Sequence, residues 1–340
     1  MMKFSVDKWK AEIISFKGRK AMPIMSYPGL SLINRDIIDM VTNGEVQYKC
    51  IRELAKRYNT IACSTMIMEL SIEAEIFGCK IRYTKDEIPT VVEGVVKSLD
   101  DVDKLEEPMI GDGRTKEYLK AARLLIENVD DRPVLGGIIG PFSLASRLYE
   151  ISNLMMDILI NPDASAKLLK KCTDFLIKYS KAFKEAGANG IIIAEPAAGL
   201  LSSDLCDEFS SKYVRRIVEA VKDSNFMVIL HNCGHTTGLV TSMLKTGCDA
   251  IHVGNAVNII DILKQVSDDI LVFGNLDPVG IFKNANIDII HTATLELLDA
   301  TIDYRNFVIS SGCDIPPNTP IENIDAFFKA IESFNNKKYL

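Results

Sequence analysis

The sequence predicts an α/β fold in the form of a single (β/α)8 TIM barrel. Short apolar runs typical of buried strands alternate along the chain with amphipathic stretches of helical length. The runs are apolar at nearly every position, as expected for parallel strands covered on both faces. Eight such runs favour a closed barrel over an open doubly wound sheet. Because no linker rich in Pro, Gly or Ser divides the 340 residues, we expect one domain over 1–340.

The N-terminal half supplies three of the predicted strands. They are Ala21–Met25, Thr60–Met66 and Pro133–Ile139. A segment of alternating residues, Lys80–Lys97, predicts a small hairpin inserted between the second and third strands.

The C-terminal half alternates more regularly. Its five predicted strands are Gly190–Ala194, Phe226–Leu230, Ala250–Val253, Ile270–Phe273 and Phe307–Ser310. The helical stretches around them are Asp163–Glu185, Ser203–Val221, Thr237–Lys245, Ile259–Val266 and Ile287–Ala300.

The charge balance bounds the function. Lys and Arg number 39 against 46 Asp and Glu, a net charge of −7, which provides no general attraction to nucleic acid or anionic membranes. The apolar runs are too short to span a bilayer, and charges interrupt the N-terminus where a signal peptide would be apolar. We therefore expect a cytoplasmic protein without a nucleic-acid or membrane partner.

Polar residues stand at the end of each late strand, where an apolar core does not require them. In a barrel, the carboxyl ends of the strands form the rim that carries the active site. These residues are Glu195, His231, Cys233, Asn255, Asn275, Asp277 and Cys313.

Three of these residues form a candidate metal site. His231 and Cys233 point to the same face of a strand, and the chain must curl at Asn232 and Gly234 to bring their ligand atoms together. Cys313 would join them on the rim of a closed barrel. One His and two Cys make a plausible catalytic zinc set with a fourth position for substrate. The alternative is that both cysteines are buried thiols and His231 is a core histidine.

Other rim residues allow more than one interpretation. Glu195 is a candidate catalytic residue, as a fourth ligand, a base or a substrate contact, although it could also pair with a rim cation. Asp277 is a second catalytic candidate, and Asn275 and Asn255 are candidate cofactor-binding residues. The run that contains Asn275 and Asp277 reads equally well as a turn and a helix cap. We expect His252, within a strand, to be structural.

Several motifs resemble the uroporphyrinogen decarboxylase superfamily over nearly the whole chain. They are RKAMPIMSYPG near the start, EAEIFG at Glu73–Gly78, GPFSLAS at Gly140–Ser146, AEPAAGLLS at Ala194–Ser202, GNLDP at Gly274–Pro278 and SGCDIPPNTPIENI at Ser311–Ile324. The resemblance implies a (β/α)8 barrel, in agreement with the strand count.

Within the superfamily, the chain is more similar to the cobalamin-dependent methyltransferases than to the decarboxylases. The decarboxylases carry arginines in an early segment, whereas Ile24–Leu30 here has none, and Cys313 stands where they have a histidine. The methyltransferases bind zinc through an H-x-C pair and a late Cys, which implies His231, Cys233 and Cys313 as ligands. Glu195 is the first candidate for a fourth ligand, and Glu73 and Glu75 follow.

The resemblance implies methyl transfer between a corrinoid carried by a partner protein and a small thiol such as coenzyme M, through a zinc-bound thiolate. Three alternatives stay open at this point: a metal-free uroporphyrinogen decarboxylase, a demethylase that loads the corrinoid from a methylated substrate, and a non-catalytic barrel without metal.

Overall fold

The computed structural model describes residues 4–65 and 68–339. Within these residues the main sheet has seven parallel strands. In their order across the sheet they are β1 Cys63–Ser64, β4 Val134–Ile139, β5 Gly190–Ala194, β6 Met227–Asn232, β7 Ala250–Val253, β8 Leu271–Leu276 and β9 Phe307–Ser311. A separate antiparallel pair, β2 Lys80–Arg82 with β3 Thr90–Glu93, lies between β1 and β4 in the chain.

Helices connect the strands of the sheet. They are α1 Val6–Ser15, α2 Gly29–Ile33, α3 Ile37–Thr42, α4 Gly44–Arg57, α5 Ile72–Ile76, α6 Thr115–Asn128, α7 Pro141–Tyr149, α8 Ile151–Ile160, α9 Pro162–Glu185, α10 Ser203–Cys206, α11 Lys212–Val221, α12 Val240–Leu244, α13 Ile259–Leu263, α14 Ile287–Ala300 and α15 Ile321–Tyr339. Leu99–Lys104 and Pro196–Leu200 are 3-10 turns, and Asp207–Ser211 and Pro278–Lys283 are π-helical. Within the described ranges, no helix is long and apolar enough to cross a membrane.

The sheet curls around an inner apolar core. Alternate residues of each strand point to opposite faces, and Ile192, Met227, Ala250, Leu271 and Val308 from five strands meet in one buried cluster. The residues between them pack against the helices in a larger outer cluster. Both faces are therefore buried, which explains the continuous apolar runs in the sequence.

The late strands confirm the sequence prediction, and the first two depart from it. Of Ala21–Met25, only Ala21 forms a bridge, to Ile309 in β9, so the sheet has seven strands rather than the predicted eight. Thr60–Met66 is reduced to the two residues of β1, and Met66 lies outside the described residues.

Side-chain oxygens explain the short ladders at this side of the sheet. The Ile24 amide donates to Ser311 Oγ at 3.0 Å, and the Gly137 amide donates to Thr65 Oγ1 at 3.0 Å. Pro23, between the bridge and Ile24, has no amide to donate. Because hydroxyl groups replace backbone carbonyls as acceptors, the main-chain ladder is interrupted there.

Candidate metal centre

His231, Cys233 and Cys313 come together at the carboxyl ends of the strands. His231 is the penultimate residue of β6, Cys233 follows that strand, and Cys313 follows β9. Their ligand atoms all lie within 4.8 Å of one another. Tetrahedral zinc with Zn–S bonds of about 2.3 Å separates its ligand atoms by about 3.7 Å, so modest side-chain adjustment would suffice for coordination.

The predicted curl after β6 is present, and Asn232 holds it. Its Oδ1 accepts from the Gly234 amide at 2.8 Å, and its Nδ2 donates to the Glu195 carbonyl at 2.8 Å. This local turn replaces the extended geometry that would hold His231 and Cys233 too far apart.

Two glycines let the neighbouring loops approach this turn. A Cβ on Gly254, after β7, would lie 2.6 Å from the Cys233 Cα and carbonyl oxygen. A Cβ on Gly312 would lie 2.6 Å from the Asn255 amide nitrogen. The backbone at Cys233 and the backbone just before Cys313 are thus each packed so closely against a neighbouring loop that only glycine fits at the contact.

The pKa values of the two cysteines shift in opposite directions. A hydrogen bond with Cys313 lowers the pKa of Cys233 to about 4, with a further contribution from His231. The same hydrogen bond, together with burial, raises the pKa of Cys313 well above its usual range. Proteins keep two adjacent thiolates ionised by placing a cation between them, and a bound divalent metal does this.

His231 offers a nitrogen that is unpaired within the described part of the chain. Its Nε2 is buried without a hydrogen-bond partner, and a buried polar atom of this kind is costly unless something binds it. Its Nδ1 lies 2.8 Å from Nδ1 of His252. Burial lowers the pKa of His252 well below its usual range, and the neighbouring His231 adds to this shift.

Glu195 lies elsewhere, as a cap on α7. Its Oε1 accepts from the Phe142 amide at 2.8 Å and from Ser210 Oγ at 3.0 Å, and its Oε2 accepts from the Ser143 amide at 2.9 Å. Burial raises its pKa, and these hydrogen bonds act in the opposite direction. The carboxylate therefore satisfies the helix N-terminus and does not join the three-residue cluster.

The remaining rim candidates have mostly structural contacts. Asp277 Oδ1 accepts from the Val279 and Gly280 amides at 2.8 and 2.9 Å, which makes it a helix cap. Asn275 Nδ2 donates to the carbonyls of Gly254 and Val257, at 2.9 and 2.8 Å, and so braces the loop after β7. Exposed Asn255 lies beside Gly312, the residue before Cys313.

The acidic residues after β1 also point away from the three-residue cluster. Glu73 Oε1 accepts from the Ile139 amide at 2.9 Å, and burial raises its pKa to about 7. Glu75 forms a 2.5 Å ion pair with Arg114, which also contacts Glu69. Both carboxylates thus serve the polar network around Arg114 and the end of β4.

Sequence reasoning missed the contact between His231 and His252. The two residues pair in register on adjacent strands, and each lies two positions after an inward-facing residue of its own strand, Ile229 in β6 and Ala250 in β7. This alternation in β7 was the signal that could have predicted that His252 faces the interior beside His231.

Parallel strands with a His–Cys–Cys set at their carboxyl ends define an α/β protein with a candidate metal centre. The chain belongs to the uroporphyrinogen decarboxylase (URO-D) family, whose model matches residues 19–334. This confirms the superfamily predicted from the sequence motifs.

The curated relatives include methyltransferases and, at 28% identity over 73% of this chain, a uroporphyrinogen decarboxylase of Coxiella burnetii. The chain is 34% identical to a methylcobamide:CoM methyltransferase of Methanosarcina mazei over 80% of its own length and 78% of that protein. It is 26% identical to a methylated-thiol–coenzyme M methyltransferase of the same organism over 80% and 72% of the two chains. A solved methyltransferase structure from M. mazei shares the fold, with a TM-score of 0.86 at 23% identity over 98% of this chain and 99% of that chain.

Proposed function

We propose that this protein transfers a methyl group between a corrinoid carried by a partner protein and a small thiol of the coenzyme M type. His231, Cys233 and Cys313 would hold a zinc ion at the site of transfer. The observation that carries the proposal is the cluster of a His231 ring nitrogen and two cysteine sulfurs within 4.8 Å of one another, with Nε2 of the buried His231 left without a hydrogen-bond partner within the described residues. The names of the curated relatives supply the substrate class.

The three residues suit zinc by their chemistry. Thiolate and imidazole are its preferred ligands, and three protein ligands leave a position open for substrate. When bound, zinc supplies the positive charge that keeps a substrate thiol ionised at neutral pH. The two cysteines add negative charge, which keeps a neighbouring sulfur electron-rich and therefore nucleophilic.

The transfer itself is a displacement at carbon. A sulfur lone pair of the thiolate forms the new S–CH3 bond while the Co–CH3 bond breaks, and its electron pair stays on cobalt. The thiol proton is released to solvent when the thiolate forms. The protein contributes by holding the sulfur in line with the methyl group, which removes much of the entropic barrier to the reaction.

We also propose that the segment around Ala21–Met25 closes the sheet into a barrel of one domain. The Met22 amide donates to the Ile309 carbonyl at 3.0 Å on one side, and the Ile61 amide donates to the Ala21 carbonyl at 3.1 Å on the other. Contacts of this segment with both edges of the sheet support closure. A cytoplasmic location would keep the ligand thiols reduced.

Metal analysis tests the proposal first. Purified protein should carry stoichiometric zinc, and Cys313→Ser and Cys233→Ser should lose most of it. Cys248→Ser is the matched control, because Cys248 is a buried cysteine outside the three-residue cluster and its Sγ donates to the Met243 carbonyl. The proposal fails if wild-type protein binds no zinc and Cys313→Ser leaves methyl transfer unchanged.

Activity assays then assign the direction of transfer. Methylcobalamin with a thiol panel, with and without a sulfonate group, should give loss of the methyl–cobalt absorbance and a methylated thiol. Turnover only with a reduced corrinoid and a methylated donor would indicate the corrinoid-loading alternative. Turnover of a porphyrinogen would indicate a decarboxylase, although the absence of arginine from Ile24–Leu30 argues against binding several carboxylates there.

A further inference from the structure

A hydrogen-bonded chain leads from the metal-site histidine to the backbone at the other edge of the sheet. His231 Nδ1 lies 2.8 Å from His252 Nδ1, and His252 Nε2 lies 2.9 Å from Ser310 Oγ. Ser310 Oγ in turn contacts the Met22 carbonyl at 2.7 Å. The three side chains are fully buried, on β6, β7 and β9, and all face the interior of the curled sheet.

The donor of each of these hydrogen bonds can be assigned by starting from the Met22 carbonyl. The Met22 carbonyl only accepts, so the Ser310 hydroxyl must donate its single proton to it. His252 Nε2 must then donate to Ser310 Oγ. A neutral His252 has a bare Nδ1, which accepts the proton on His231 Nδ1. His231 Nε2 takes no part in these contacts and is the ring nitrogen left for a metal.

The surroundings keep His252 neutral and its ring in place. An imidazolium in this position would be a buried charge without a carboxylate in hydrogen-bond contact within the described residues, which is strongly unfavourable. The His252 ring also stacks on Phe273, with centroids 6.2 Å apart and planes within 7°. Both nitrogens of the ring are therefore held at fixed positions.

We propose that His252 is a positioning residue that, with Ser310 and the Met22 carbonyl, fixes the tautomer and ring orientation of His231. Because His252 occupies Nδ1, Nε2 is the ring nitrogen of His231 that remains available to a metal in the cluster with Cys233 and Cys313. This inference deepens the proposed zinc-dependent function and rests on it for its purpose. The tautomer assignment itself concerns the metal-free protein and can be tested separately.

Nitrogen NMR of metal-free wild-type protein tests the tautomers directly. The chain has four histidines, so histidine-selective ¹⁵N labelling yields a small set of ring correlations. We expect His231 to be protonated at Nδ1 and His252 at Nε2, with assignments from single substitutions. A His252 protonated at Nδ1, or a His231 without a proton on Nδ1, would overturn the inference whether or not the protein binds zinc.

Substitutions at His252 test the positioning role. His252→Asn places an amide oxygen near the position of Nδ1 and preserves an acceptor for His231, whereas His252→Phe removes it and keeps an aromatic ring on Phe273. Loss of such a supporting contact typically weakens metal binding by about 10–100-fold. We expect that loss in His252→Phe, with substantial recovery in His252→Asn, measured by competition with a chromophoric chelator. His291→Phe, on α14, is the control.

Cobalt substitution separates positioning from general destabilisation. We expect His252→Phe to alter the intensity and position of the visible bands of the Co²⁺ protein, and Ser310→Ala to produce a smaller change of the same kind. The thermal stability of the metal-free variants is measured in parallel. Wild-type zinc affinity and an unchanged cobalt spectrum in His252→Phe would refute the positioning role. Absence of metal binding in the wild type, with the expected tautomers, would refute the proposed function instead.

Discussion

Replacement of Glu195 by glutamine should destabilise the protein without weakening its metal site. The carboxylate accepts three hydrogen bonds in a buried environment, from two backbone amides at the start of α7 and from Ser210. A glutamine oxygen can retain the Phe142 and Ser210 contacts. Its amide nitrogen would then face the Ser143 amide, so one charge-assisted hydrogen bond is lost and two donors are left opposed.

The size of the effect follows from these contacts. Loss of one such bond and burial of an unsatisfied donor cost about 2–4 kcal/mol, after the relief from no longer burying a carboxylate is included. Unfolding entropy of about 2.1 cal/mol/K per residue amounts to about 0.7 kcal/mol/K for this chain. The transition temperature should therefore fall by about 3–6 °C.

Thermal unfolding and chelator competition, performed on the same preparation, test this prediction. Glu208→Gln makes the same chemical change at an exposed site and should leave both quantities unchanged. Glu195→Gln should keep wild-type zinc affinity. An unchanged transition temperature together with a zinc affinity weakened by roughly tenfold or more would refute the capping role and restore Glu195 as a metal ligand.

Three further changes probe the rest of the site and its support. Burial raises the pKa of Glu73 from 4.5 to about 7, so the folded state keeps a proton that the unfolded chain releases, and stability falls between these pH values. Glu73→Gln removes this fall, so its free energy of unfolding in urea titrations should match that of wild type near pH 4.5 and exceed it by about 3 kcal/mol at pH 8. An equal dependence of the unfolding free energy on pH in both proteins would contradict this. Gly254→Ala should displace the backbone of Cys233 and, if the proposed site holds zinc, weaken zinc binding at least about tenfold. Gly238→Ala, where an added Cβ would have open space around it, should leave the affinity unchanged. Equal affinities in the two variants would rule out the close-packing argument. Arg114→Met should lower the free energy of unfolding in denaturant titrations by about 3–5 kcal/mol, because it leaves Glu69 as a buried charge without its ion-pair partner. Adding Glu69→Gln to this variant should recover much of the lost stability. No recovery would contradict the ion-pair explanation.

The local pattern of apolar residues was sufficient to predict most strands of the sheet. Every strand from β4 onward overlaps an apolar run, and the predicted helix Ile287–Ala300 has the observed bounds. Helix Ser203–Val221 is divided by a π-helical turn at Asp207–Ser211, which no periodic pattern signals. The backbone ladders of the first two predicted strands are short because the Ile24 and Gly137 amides donate to side-chain hydroxyls instead of backbone carbonyls. The apolar character of a segment does not reveal such a change of acceptor.

The sequence by itself determined the strand–helix alternation, the family and the identity of the three residues that cluster, because strand ends in a parallel sheet share one rim. Only the tertiary structure decided what Glu195 and His252 do. The two backbone amides that donate to Glu195 come from a helix 52 and 53 residues away in the chain, and the partners of His252 lie 21 and 58 residues away. The role of a buried polar side chain depends on the groups that form hydrogen bonds with it, and those groups become neighbours only when the sheet curls.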